Sequence, residues 1–204
     1  MAAVDPSIVR RPPFGANPLV GERGSDTRRR VLESALAVFG EVAYPDARVE
    51  LITERAGCSR PAFYQYFSSK DDVFWTLATE LGEAMVALAD QLEPVTPDEE
   101  GLARLTAWID DFMALHEAWA PVFRVFPDAT RGDKAQVSRS GSIAGHTAKA
   151  LLGAFHLPRT AANKRLVSSL VGVLIRCSFY AEAAPAGMSR RPLELGLARL
   201  FHRA

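Results

Sequence analysis

Cysteine is scarce in this sequence: Cys58 and Cys177 are the only two in 204 residues. Far apart and outside any zinc or CxxC spacing, they read as two buried thiols, with a redox switch at Cys58 as the alternative. No apolar run reaches the roughly 18 residues a membrane helix needs, so no membrane partner is expected. Residues 1–24 lack the continuous apolar segment of a signal peptide, which gives the expectation of a cytoplasmic protein. No stretch alternates with period two, so strands are not expected. HExxH, GxSxG, phosphate-loop and ExxH patterns are all missing. That argues against an enzyme, and no cofactor or metal is expected. Net charge is zero, so no global field advertises nucleic acid.

What is present is a helical chain with segregated charge. Apolar residues make up 48% of the sequence, enough for a core. Arg10, Arg11, Arg28 to Arg30, Arg48, Arg55, Arg60 and Lys70 precede most of the acids, which gather at Asp71, Asp72, Asp98 to Glu100, Asp110 and Asp111. Residues 1–24, rich in Pro and Gly without a period, read as an arm. Structure is expected from Ser25 or Asp26, with a helix through Val31, Leu32, Ala35, Leu36 and Phe39 that Gly40 ends. Asp46 is placed to cap a helix over 47–56, and Gly57 to turn the chain. Ser59 caps a short helix to about Phe67, and Ser68 or Ser69 caps a longer one to about 93. Further helices are expected near 98–117, 119–126, 133–156, 160–184 and 190–203, with breaks at the prolines.

The segment VELITERAGCSRPAFYQYFSSK, residues 49–70, has the layout of a helix-turn-helix. Phe63 and Phe67, four apart, share the core face of the second helix. At about 100° per residue, Pro61 and Gln65 point away, with Arg60 and Tyr64 on one side and Ala62 and Tyr66 on the other. Such a face carries no acid. Gln65 can pair with adenine and Arg60 with guanine or a phosphate, while the tyrosine hydroxyls and Lys70 can donate to phosphates. Without further information a helical hairpin in a core remains open.

Residues 26–75 resemble the tetracycline-repressor (TetR) family in the AG turn, the following Ser, the FYQYF run and the SK pair. The resemblance implies an all-α fold: an arm (1–24), a three-helix DNA-binding domain (25–70) and a helical effector-binding and dimerisation domain (71–204). It also implies a regulator, most simply a repressor, that binds palindromic double-stranded operator DNA as a homodimer and is released by a small molecule. Arg48, Val49, Ser59, Arg60, Tyr64, Tyr66 and Lys70 occupy positions that commonly touch DNA in that family. Four residues depart from the usual pattern: Ala47-Arg48 stand where Thr-Thr is common, Tyr66 where His is common, and Pro61 where a small residue is common. A helical-bundle enzyme or lipid carrier is the alternative from another class, and a transcriptional activator the alternative within this one.

For the second domain the resemblance implies only a ligand cavity and a dimer bundle. Trp108, Phe112, Trp119, Phe123, Phe126 and Phe179 are candidates to line a mainly apolar ligand site, or else ordinary core. Arg124 and Arg176 lie in apolar stretches, as surface-reaching side chains or as anchors for an anionic effector. His116 and His146 are expected to be solvated or hydrogen-bonded rather than metal ligands. Leu166, Leu170, Val173 and Cys177 form one apolar stripe, and Leu193, Leu197, Leu200 and Phe201 a second. Together they are the candidate dimer interface.

Overall fold

A computed structural model describes residues 22–129, 145–182 and 191–202, and every regular element among them is helical. The expected arm up to residue 21 and the expected helical residues 133–144 lie outside these ranges. The chain divides into two compact units at Leu77/Ala78.

The first unit holds α1 (Glu22–Glu41), a 3-10 turn (Tyr44–Asp46), α2 (Val49–Ala56), α3 (Arg60–Tyr66) and the start of α4 (Lys70–Asp90). Helix α1 begins at Glu22, ahead of the expected Ser25 or Asp26, and Asp26 lies inside it, pairing with Arg29 at 3.5 Å. Gly40 stays inside the helix, since its backbone does not enter the left-handed region. The chain turns instead ahead of Pro45, where Ala43 is extended and caps the 3-10 turn. Val31, Ala35, Phe39, Ile52, Ala56, Phe63, Phe67, Val73 and Phe74 are buried. Phe39, Tyr44 and Phe74 form a three-ring cluster with centroids 5.3–6.3 Å apart. Because Val73 and Phe74 belong to this core, the unit extends past the expected boundary at residue 70.

The second unit contains the rest of α4, α5 (Glu99–Ala118), α6 (Ala120–Ala129), the helical residues 145–154 (α7), α8 (Ala161–Glu182) and α9 (Arg191–His202). Helix α4 stops at Asp90, short of the expected 93, and Val95 then donates its N–H to the Ala154 carbonyl at 2.8 Å. Asp98 caps α5 by accepting from Gly101 N–H at 2.8 Å while Thr96 Oγ1 donates to the same carboxylate at 2.6 Å. These bonds hold the Asp98 carboxyl below its ordinary pKa, the Thr96 hydroxyl contributing most. Leu105, Trp108, Ile109, Phe112, Leu151, Val167, Leu174, Leu197 and Phe201 form one core. Pro121 falls in the first turn of α6, where no helical bond is lost, whereas Pro127 lies within it.

Candidate nucleic-acid interface

Helix α3 is short, and two caps and a turn fix where it points. Gly57 sits in the left-handed region (φ 62°, ψ 38°) and ends α2, with Cys58 N–H reaching back to the Thr53 carbonyl at 3.0 Å. Ser59 Oγ accepts from Ala62 N–H at 3.3 Å, and Pro61 occupies the first turn without wasting a donor. Phe63 and Phe67 are buried. Arg60, Pro61, Tyr64 and Gln65 are exposed, with Ala62 and Tyr66 half-buried beside them. Pro61 and Gln65 point away from the core as the helical wheel predicts, whereas Tyr66, expected on the exposed face, is half-buried. Tyr64 is 48% exposed, a large ring held in water.

Arg60 is not loose on this face. Its Nη1 lies 2.7 Å from Glu50 Oε1. Its pKa is raised, first by a hydrogen bond with the Tyr64 side chain and then by the charge of Glu50. The spacing of Glu50 and Arg60 along the chain carries no signal of this pair, because their approach depends on how the turn at Gly57 sets α2 against α3.

Lys70 also differs from a free phosphate donor. Its Nζ donates to the carbonyls of Tyr44 (2.6 Å) and Pro45 (3.2 Å) and lies 4.6 Å from the centre of the Tyr44 ring. The Tyr44 hydroxyl donates to Asp71. Burial, and then that bond, raise the phenol pKa. Lys70 thus ties the 3-10 turn to the start of α4. Ser69 Oγ caps α4 through Asp72 N–H at 3.1 Å, and Asp72 accepts from Ser68 N–H at 2.8 Å, a reciprocal cap.

Asp46 does not cap α2. It lies in the 3-10 turn, whose own bonds run from Ala47 N–H to the Ala43 and Tyr44 carbonyls. Exposed Arg48 is the N-cap, without a side-chain bond because a guanidinium cannot accept one. Val49 follows, half-buried. Cys58 is half-buried and its thiol pKa is raised by burial, with Arg30 opposing the shift. A protonated thiol is a poor nucleophile, so the redox alternative gains no support.

In the second unit the candidate ligand residues separate. Trp108 and Phe112 are buried in the core, with Trp108 Nε1 donating to the Leu88 carbonyl at 2.9 Å. Trp119, Phe123, Phe126 and Phe179 are half-buried. Phe123 stacks on His116 at 4.4 Å and Phe179 meets it edge-on at 4.5 Å. His116 is therefore a buried ring in an aromatic cluster, and His146 pairs with Asp90 at 2.9 Å. Arg124 and Arg176 are exposed, Arg176 lying over the Tyr180 ring at 5.1 Å, so both follow the surface reading. A cavity of about 260 Å³ opens elsewhere, among Val95, Phe155, Leu166, Leu170 and Phe201. Another, of about 290 Å³, is lined by Asp90, His146, Lys149 and Arg159.

The candidate dimer residues also divide. Leu197 and Phe201 are buried in the subunit's own core, and Leu170, Cys177 and Leu193 pack against it. Leu166 is half-buried. Val173 (41% exposed) and Leu200 (56%) face solvent, as does Tyr180 (63%). Among the described residues no helix is long and apolar enough to cross a membrane.

The sequence model of bacterial regulatory proteins of the tetR family matches residues 31–75. The chain is 32% identical over 120 residues to the HTH-type transcriptional repressor Rv1474c of Mycobacterium tuberculosis, covering 59% of this chain and 62% of that one. It is 34% identical over 70 residues to the HTH-type regulator YdgC of Bacillus subtilis, covering 34% and 36%. The chain thus spans less than two thirds of the length of these curated relatives. In fold it is similar to a tetR-family regulator from Streptomyces coelicolor, with TM-score 0.66 and 20% identity over 87% of this chain and 79% of that one. Residues 31–75, which hold the glycine-turned α2–α3 pair, thus match the tetR family of bacterial regulatory proteins, and the described helices share the fold of a solved tetR-family regulator.

Proposed function

We propose that the protein is a DNA-binding transcriptional regulator that grips a palindromic operator as a homodimer through α3. The observation that carries this reading is the solvent-facing set Arg60, Pro61, Tyr64 and Gln65 on a helix whose other face is buried Phe63 and Phe67. A short helix with an acid-free polar face and a rigid hydrophobic back suits insertion into the major groove. Arg48, Lys70 and Tyr66 supply phosphate contacts around it. Repression is the default outcome, the Mycobacterium relative being a transcriptional repressor by name. Val173, Tyr180 and Leu200 supply apolar surface for the second copy.

The effector in this reading is a small, mainly apolar molecule held in the second unit at the half-buried rings Phe123 and Phe179, which pack on His116, with Trp119 and Phe126 as further half-buried candidates. Such a molecule releases DNA only by favouring one conformation over another. Helix α4, continuous over Lys70–Asp90, carries residues of both units and is the natural lever.

Anisotropy titration with duplex DNA from upstream of the protein's own reading frame tests the reading. Binding is expected to be dimeric and to weaken with salt. Gln65→Ala is expected to lose about 1–3 kcal/mol at one position per half-site. Equal affinity for every duplex, or none at low salt, overturns the proposal. A reporter behind the bound fragment separates repression from activation by the sign of the change.

A further inference from the structure

The Glu50–Arg60 pair places a negative charge beside a helix read as facing DNA, where an unpaired carboxylate would be repelled by phosphates. We propose that Glu50 is a specificity-determining residue: it positions Arg60 to read a base and withholds it from the phosphate backbone. The inference rests on the DNA-binding reading of α3.

Glu50 lies in the first turn of α2 and Arg60 opens α3, so the pair bridges the glycine turn at 2.7 Å. Tyr64 stands one turn along α3 and is exposed like Arg60. Arg60 is held by Glu50 while its side chain stays 57% exposed. A guanidinium has more N–H donors than this partner uses, and the remainder stay available to a ligand.

An unrestrained arginine on a recognition helix can reach either a guanine edge or the nearest phosphate. Phosphate contact carries no sequence information and dominates non-specific affinity. Glu50 acts against that choice in two ways. It fixes the plane of the guanidinium, which bidentate pairing to guanine O6 and N7 requires. It also offsets the charge that a phosphate would attract. An exposed ion pair adds little to folding stability, so holding the helices together is a weak explanation for it. The pair Arg55–Glu41, at 2.6 Å, is also exposed but has no residue on α3, and so provides an internal control.

The test is selection from a random-sequence duplex library, run with wild type, Glu50→Gln, Arg60→Ala, the double variant and Glu41→Gln, each checked for an unchanged melting curve. Glu50→Gln is expected to bind random duplex several-fold more tightly and to steepen the log–log salt slope by about one unit. Its preference at one base pair per half-site is expected to fall about tenfold. Arg60→Ala should lose preference at that same base pair, and the double variant should lose no more. Glu41→Gln should select the wild-type sequence. If Glu50→Gln enriches the wild-type motif with undiminished preference at every position, Glu50 is a surface ion pair and the inference fails. If wild type enriches no sequence at all, the DNA-binding reading itself fails, and the inference with it.

Discussion

Gly57 and His156 stand at the same point of two helix ends, after α2 and after α7. Both have positive φ, 62° and 53°. Both are followed by a residue whose N–H reaches back five positions, Cys58 to Thr53 and Leu157 to Leu152. Glycine enters this region without strain; a residue with a Cβ is disfavoured by roughly 1–2 kcal/mol. His156→Gly is therefore expected to stabilise the protein by about 1 kcal/mol, part of the gain being offset by the looser unfolded chain. Thermal melting checks this, and a lower midpoint would refute it. Gly101 behaves in the opposite way. In a helix, alanine is normally the better residue, but here a Cβ would lie 2.0 Å from the Thr96 carbonyl oxygen. That carbonyl also accepts from His202 Nε2 at 2.7 Å, so it has little freedom to move. Gly101→Ala is expected to destabilise by about 1–3 kcal/mol, despite its propensity gain, as read from chemical denaturation. Gly57 could be read from the sequence because Gly between two amphipathic runs is a known helix stop. Neither His156 nor the constraint on Gly101 could be, since each depends on what the rest of the fold brings near.

At the scale of elements, local chemistry was a good guide wherever a helix is closed by its own neighbours. Ser59, Ser69 and Asp98 cap α3, α4 and α5 through bonds spanning three residues. The orientation of α3 followed from the spacing of Phe63 and Phe67 alone. Asp46 was misjudged because the turn before α2 is held from a distance, by Lys70 and Asp71 on α4. The structural tie made by Lys70 can be separated from its proposed phosphate contact. Lys70→Ala is expected to lower stability by about 1 kcal/mol through the lost carbonyl bonds. It is also expected to weaken binding to all duplexes alike and to flatten the salt slope by about one unit. A loss of stability with an unchanged slope would leave Lys70 a structural tie and remove it from the phosphate contacts.

At the scale of the molecule, the large apolar side chains left exposed among the described residues are Tyr64, Val173, Tyr180 and Leu200. The first lies on the face assigned to DNA, and the other three lie on α8 and α9. For the proposed dimer this selects the informative substitutions. Leu197→Glu would place a charge in the subunit core and unfold it, which says nothing about assembly. Val173→Glu with Leu200→Glu changes only exposed positions. It is expected to give folded monomers by sedimentation velocity and to abolish tight operator binding, because one recognition helix cannot span half-sites about 34 Å apart. A dimer that survives both substitutions would move the interface off these faces.

The sequence by itself determined the all-helical class, the order of the helices, the glycine turn and the outward face of α3. Each of these depends on periodicity or on contacts within a turn or two, where spacing along the chain is distance in space. The tertiary structure alone decided which apolar residues of α8 and α9 are core and which are surface. A stripe such as Leu193, Leu197, Leu200 and Phe201 looks the same whether it packs on its own subunit or on another, and only the position of α5 beside α9 assigns Leu197 and Phe201 to the core. It alone also paired Glu50 with Arg60 and Lys70 with the Tyr44 turn. Charged side chains reach across turns and between helices, and their partners are set by where the backbone has already been placed.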